Sequence, residues 1–298
     1  MGFEACHPAV NFIFFAAVLY GSATFRHPVF LAIAYLCAFA YSVKRRGKRA
    51  AIFNLCLLPL VVVFALYYSS YHHFGVTVLR KNFVDNNMTL ESLVYGLVIG
   101  LRFATVCMWL ESMFQVVSSD KVVYLFGKIS PLLSLFLTIL LRLIPRIGLE
   151  ARRINLAQKG IGKGSNQGTI FQRFVNCLRI FSMLITWMIS ALGLESDSMR
   201  SRGSLLRGRT AFSIYRFDNR DRAFVIGLFA CITLTVMGVI LGASKMWYNP
   251  RIIWRPLNAL GVLTALGYLA LCMMPMGLEL WTEYRFAQER ERANDTDG

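Results

Sequence analysis

The sequence predicts an all-α integral membrane protein, with about six transmembrane helices and long amphipathic helices on the cytoplasmic side. Three observations predict it. The 298 residues are 56% hydrophobic and 16% charged, with a mean hydropathy of +0.52, whereas a soluble domain has about 45–50% apolar and about 25% charged residues. The apolar residues are gathered into runs long enough to cross a bilayer. The basic residues behind the net charge of +16 lie between those runs, as cytoplasmic loops loaded with Lys and Arg do. That placement favours a membrane surface over nucleic acid as the partner of the positive charge.

The elements follow in order. Residues 10–23 and 29–41 are apolar and are split by Arg26-His27-Pro28, which reads as a tight pair of short spans. Lys44-Arg45-Arg46-Gly47-Lys48-Arg49 is a dense basic loop, cytoplasmic by the positive-inside rule. Residues 51–68 form the third span, and 69–88 are polar and mixed. Thr89 with Glu91 suits a helix start, and the fourth span runs on to about Val117, carrying Arg102 and Glu111 inside it. Thus 1–117 holds helices one to four. Region 118–222 follows: Ser118-Ser119-Asp120 caps a short helix, and Pro131 opens a long one on which Thr138, Arg142, Arg146, Glu150 and Arg153 share a face. Pro145 is expected to kink this helix. A second long helix shows Phe171, Phe174, Leu178, Phe181, Ile185, Met188 and Leu192 at three-four spacing, wet at one end and buried in its middle. From Thr169 to Arg202 it would measure roughly 50 Å, too long for an upright span. Region 223–276 supplies spans five and six around a loop with Trp247, Tyr248 and Trp254 at the interface. The charged tail 277–298 is expected to fray. The N-terminus lacks the basic patch and the small-residue cleavage site of a signal peptide. These parities put both termini in the cytoplasm of a multi-pass inner (plasma) membrane protein.

The chain is organised around the polar stretch from Arg142 to Arg222, which holds about half of its basic residues. Two helix-like runs in it end in basic residues and a glycine, at Lys159-Gly160-Ile161-Gly162-Lys163 and at Arg200-Ser201-Arg202-Gly203. Glycine stops helices because it takes the left-handed conformation without a Cβ clash. The reading sets both tips on one side of the membrane, with Arg202 near Gly160. On its own, such a pattern equally suits cations that complement helix dipoles and anionic lipid heads.

The order of features adds to this. His7-Pro8-Ala9-Val10-Asn11 before an apolar hairpin, Leu141-Arg142-Leu143-Ile144-Pro145 leading to Glu150-Ala151 and Ala157-Gln158, and Ser198-Met199-Arg200-Ser201-Arg202-Gly203 with Gly208-Arg209-Thr210 occur in sequence. Over about four fifths of its length the chain resembles the transmembrane T component of energy-coupling factor (ECF) transporters, the family that includes the cobalt-transporter Q protein. The resemblance implies a scaffold without catalytic activity in an ABC-type importer for a vitamin or a transition metal such as cobalt or nickel. Two coupling helices would dock on two cytoplasmic ABC ATPases, a homo- or heterodimer, and a small membrane S component would hold the substrate. The chain would bind no cofactor, and ATP would be hydrolysed by the partner subunits. Carried over by position, the second coupling motif is Ser201-Arg202-Gly203, with Arg200 and Arg209 beside it and Ser in place of the family's Ala. The first falls on Gly160-Ile161-Gly162, where Ile161 replaces the family's Arg. Either Lys159 or Lys163 supplies that charge, or the two ATPases differ in their grooves. Phe171, Phe181, Met183 and Met188 are candidate contacts to the S component. The sixth span is additional to the family's pattern.

Other motifs weigh less. Gly162-Lys163-Gly164-Ser165 imitates a phosphate loop, but Ala157 stands for the first Gly, Gly164 for the Ser/Thr, and a helix end for the strand. His72, His73 and Asp85 read as a solvated loop rather than a metal site. The seven cysteines are scattered with no C-x-x-C spacing, against both a disulfide framework and a zinc site. Glu111 and Arg102 are expected to pair with another helix, near Arg142, in a structural role. The G-x-x-x-G patches at Gly96 to Gly100 and at Gly238 to Gly242 read as helix packing. The rival functions are a permease subunit with its own substrate path, which needs more polar groups at the midplane, and a membrane-embedded enzyme, which needs clustered His, Asp, Glu or Cys.

Overall fold

A computed structural model describes residues 2–296 except 73, 82–86, 130, 204–214, 216, 254, 255 and 257. Nine α-helices make up most of it. Six are long and apolar enough to cross a membrane, as a multi-pass membrane protein requires. The chain divides into two compact units, Met1–Ser118 with Tyr215–Gly298, and Ser119–Ile214.

The first unit holds α1 (Pro8–Thr24), α2 (Pro28–Arg46), α3 (Lys48–Tyr71), α4 (Leu90–Val116), α8 (Asn219–Ile240) and α9 (Ala259–Thr296). Helices α1 and α2 start alike. His7 and His27 are N-caps whose Nδ1 atoms accept from the N–H of Ala9 and Val29, and Pro8 and Pro28 fill the first helical position. Proline fits there because its missing N–H would go unpaired in any case. The core is aromatic: Phe3, Phe14, Phe15, Tyr41 and Trp109 are all buried and meet edge-on or stacked. Gly96 and Gly100 of α4 lie against the backbone of Ala65 and Val61 of α3, where a Cβ would stand 3.1 Å from its nearest neighbours. Gly238 of α8 meets Thr264 of α9. Gly242 does not pack in this way; it takes φ 79° and ends α8.

The two ends of this bundle differ. The first end collects the ion pairs. Arg45 bridges Glu4 and Glu279 (3.0 Å to the latter) and lies over the Tyr41 ring, Lys44 meets Glu283 at 3.1 Å, and Arg46 meets Glu111. His7 also donates its N–H to Asp221 there. The second end carries Arg26, an aromatic group of Tyr68, His72, Tyr95 and Tyr248, and an antiparallel hairpin of β1 (Val78–Lys81) and β2 (Asn87–Thr89).

Four expectations change here. Lys44 to Arg46 form the last turn of α2 and Lys48 begins α3, so only Gly47, at φ 65°, stands between two helices. The mixed segment before α4 contains strands; His73 and Asp85 in it lie outside the described residues. Glu111 does pair with another helix, but its partner is Arg46 of α2 rather than Arg142. The tail is helical, α9 continuing to Thr296, with Glu279 and Glu283 on Arg45 and Lys44.

The second unit holds α5 (Ser119–Ile129), α6 (Pro131–Gly160) and α7 (Ile170–Ser201). Helix α6 continues through Pro145 to Gly160. Helix α7 begins at its cap Thr169 and ends at its cap Arg202, the limits the sequence predicts. At 32 residues it is about 48 Å long.

Candidate functional site

Residues 161–169 fold α7 back on α6. The pairs that join the two helices, Arg146 with Glu195 at 2.7 Å and Gln158 Nε2 with the Met183 sulfur at 3.6 Å, step forward on one and backward on the other, so the hairpin is antiparallel. Its two basic tips therefore lie at opposite ends. With Gly160 level with the region of Met183, Arg202 stands about 30 Å further along. The expected neighbourhood of Arg202 and Gly160 is not formed. Both tips can face one side of a membrane only if the hairpin lies along the surface.

Each tip is closed by glycine. At the end of α6, Lys163 N–H bonds the Gln158 carbonyl at 2.9 Å and Gly162 N–H bonds Lys159 at 3.1 Å, with Gly162 at φ 75°. This is a Schellman stop, and the left-handed residue suits only glycine without strain. Gly160 itself is the last helical residue. At the end of α7, Gly203 also has φ 75° and its N–H bonds Arg200 at 3.0 Å, while the Ser201 hydroxyl donates to Ser198. Arg209 lies outside the described residues.

The first tip is clamped from beneath. Asn155 Oδ1 accepts from Ser165 N–H at 3.0 Å, and the Asn176 amide donates to the Gly164 and Gln167 carbonyls at 3.2 and 3.4 Å. Gln167 takes the Gly164 N–H, and Thr169 with Gln172 forms a capping box. Asn176 is the buried residue of α7, yet nothing in the sequence pattern marks it, because an Asn on the polar side of an amphipathic helix looks solvated. These bonds also commit the N–H groups of Lys163, Gly164 and Ser165, which a phosphate cradle would need free.

Two cations along the hairpin meet carboxylates, Arg146 with Glu195 and Arg153 with Glu150 at 3.5 Å, while Arg142, Arg152 and Arg179 are exposed like the tips. Lys159, Lys163, Arg200 and Arg202 at the tips are exposed, and none has a carboxylate partner among the described residues. Between Lys159 and Lys163 stands Ile161, 64% exposed. The first tip is thus a bare apolar knob between two ammonium groups, and the second a bare guanidinium.

Helix α7 is one of the six helices long and apolar enough to cross a membrane, and the rest of the described chain buries no residue of its apolar window. Phe171 and Phe181 are 77% and 59% exposed. Met183 and Met188 are half-buried, and Met183 is engaged by Gln158 of α6. Beside Phe181, a shallow groove of about 370 Å³ between the helices is lined by Arg152, Asn155, Cys177 and Leu184. Among the described residues no group of three His, Cys, Asp or Glu is placed to hold a metal ion.

No known protein family matches the chain, and no curated protein matches it.

Proposed function

We propose that this chain is the energy-coupling scaffold of an ATP-driven importer, the transmembrane subunit that passes the motion of two cytoplasmic ABC ATPases to a separate substrate-binding membrane protein, for uptake of a vitamin or a transition metal. The observation that carries the reading is the pair of glycine-closed helix ends whose cations have no carboxylate partner among the described residues. A stiff rod transmits force only if its end is fixed to the rod and free toward the partner, and both conditions hold at each tip.

The separation of the tips refines the reading. Two feet about 30 Å apart cannot share one groove, so each meets its own ATPase. Arg202 would pair bidentately with a groove carboxylate. Ile161 between Lys159 and Lys163 needs a groove with an apolar floor and acidic rims, which favours two non-identical ATPases. The bare face of α7, through Phe171 and Phe181, would rest on the substrate-binding subunit or on lipid. The first end of the α1–α4, α8, α9 bundle, rich in Lys and Arg, would face the cytoplasm together with both termini. The chain would itself be no enzyme and bind no cofactor.

The test is affinity purification of the full chain from its native membranes. Wild type should bring down two ATPases and a small membrane protein. Arg202→Ala should lose at least one ATPase, or keep both while transport falls and ATP hydrolysis continues. Full recovery of the complex with wild-type transport in that variant would refute the proposal.

A further inference from the structure

Helix α4 carries Arg102 and Glu111, two ionisable residues, inside an apolar span. Glu111 is answered by Arg46. Arg102 is not answered by any acid among the described residues. The groups within its electrostatic reach are Arg26, Tyr95 and Tyr248, none of them a carboxylate, and its Nε is buried without a hydrogen-bond partner. Helical side chains lean toward the helix N-terminus, which directs Arg102 up α4 toward Tyr95 and the second end of the bundle.

The surroundings there are apolar, with exposed Arg26 at their edge. Leu31, Val98, Met246 and Tyr248 form a small buried apolar cluster, with Tyr95 packed against it. The Tyr95 and Tyr248 rings lie 5.4 Å apart. Tyr248 is 4% exposed and donates its O–H to the Arg26 carbonyl at 2.7 Å, which fixes the Arg26 backbone over this spot. Burial pushes the Tyr248 phenol up to about 12, so at neutral pH it brings no negative charge.

A guanidinium does not shed its proton. A half-buried cation with a like charge as neighbour is unfavourable in a low dielectric unless an anion joins it. No acid among the described residues takes that place, and an anion from outside the chain can. Two guanidinium groups beside a neutral aromatic wall match the several acceptor oxygens of a phosphate group better than a single carboxylate.

We propose that Arg102 and Arg26, walled by Tyr95 and Tyr248, form a seat for a phosphate oxyanion at the second end of the bundle, supplied by an anionic lipid headgroup or by a soluble phosphate. The seat is independent of the coupling tips and of the function proposed for them.

The test uses full-length protein in nanodiscs of phosphatidylcholine alone or with phosphatidylglycerol, read by native mass spectrometry and by melting temperature. Wild type should retain phosphatidylglycerol preferentially, and Arg102→Met should lose that preference by about tenfold. In phosphatidylcholine alone, Arg102→Met should melt at the same temperature as wild type or higher, because an unpaired buried charge is gone. In detergent, a saturable rise in melting temperature with inorganic phosphate, absent from Arg102→Met, would assign the seat to a soluble oxyanion; a response to phosphatidylglycerol alone would assign it to lipid. Identical behaviour of wild type and Arg102→Met toward both probes overturns the proposal. Should Arg102→Met not fold, Arg26→Gln decides: a weakened preference supports the seat, and an undiminished one overturns it.

Discussion

Two basic clusters in this chain look alike in sequence and differ in three dimensions. Lys44, Arg45 and Arg46 end α2, and Lys159, Lys163, Arg200 and Arg202 mark the ends of α6 and α7. In the first, each of the three cations that end α2 meets a carboxylate from a distant part of the chain, Glu283, then Glu4 and Glu279, then Glu111, whereas Lys48 and Arg49 beyond Gly47 are exposed. In the second, none does among the described residues. The first cluster is therefore cement, joining the N-terminal turn, α2, α4 and α9. The second is surface charge held on rigid supports. A run of Lys and Arg shows that a surface is positive; the acids that reach it decide whether it is available.

The contrast breaks most directly at Glu279. Its side chain and that of Arg45 are 10% and 14% exposed and 3.0 Å apart. Glu279→Ala leaves Arg45 desolvated with Glu4 as its one remaining carboxylate. We expect a loss of about 2–4 kcal/mol, seen as a lower melting temperature in detergent, with α9 beyond that point exchanging its amide hydrogens faster. A change near zero would mean that the cluster is as loosely held as the tips and would remove the distinction between them.

Asn176→Ala sharpens the other half. It removes two hydrogen bonds to the carbonyls of Gly164 and Gln167 from a buried donor, worth about 1–2 kcal/mol. The loss should be local, because the turn it holds belongs to the second unit. Hydrogen exchange should rise across 161–169 and stay unchanged in α1 to α4. An exchange pattern untouched in that turn would show that glycine geometry alone fixes the first tip.

How much of this was legible beforehand depends on the range of the interaction. Local chemistry was legible. Thr89 as a cap, the limits Thr169 and Arg202 of α7, and the glycine stops at Gly162 and Gly203 each follow from residues within a turn of one another. Long-range pairing was not. The charged tail from residue 277 is helical, and Glu279 and Glu283 in it find cations far back in the sequence. Glu111 needed a partner, and only the packing of α4 on α2 shows that it is Arg46. The antiparallel register that parts the two tips is set by Arg146 with Glu195 and Gln158 with Met183, and no helical period fixes how one helix lies on the next. The strands Val78–Lys81 and Asn87–Thr89 are too short and too mixed to show the alternation that marks a strand.

The smallest expected effect is the most telling. Arg202 is exposed at the end of α7, and its described contacts there are those of its own backbone. Arg202→Ala should change the stability of the isolated chain by no more than about 0.5 kcal/mol, as a surface substitution away from caps and pairs does. The remaining favourable term, a cation near the negative end of a helix dipole, is of the same size and is screened by salt. Measured beside Glu279→Ala in one detergent, the two variants should differ several-fold in their effect on melting temperature, although each removes one charge from an ionic cluster. Should Arg202→Ala destabilise the chain as much as Glu279→Ala, the guanidinium is bound within the fold and is not free for another protein. A neutral result leaves a fixed, unspent charge at the end of a rigid helix, and a scaffold that must grip a moving partner needs such a charge.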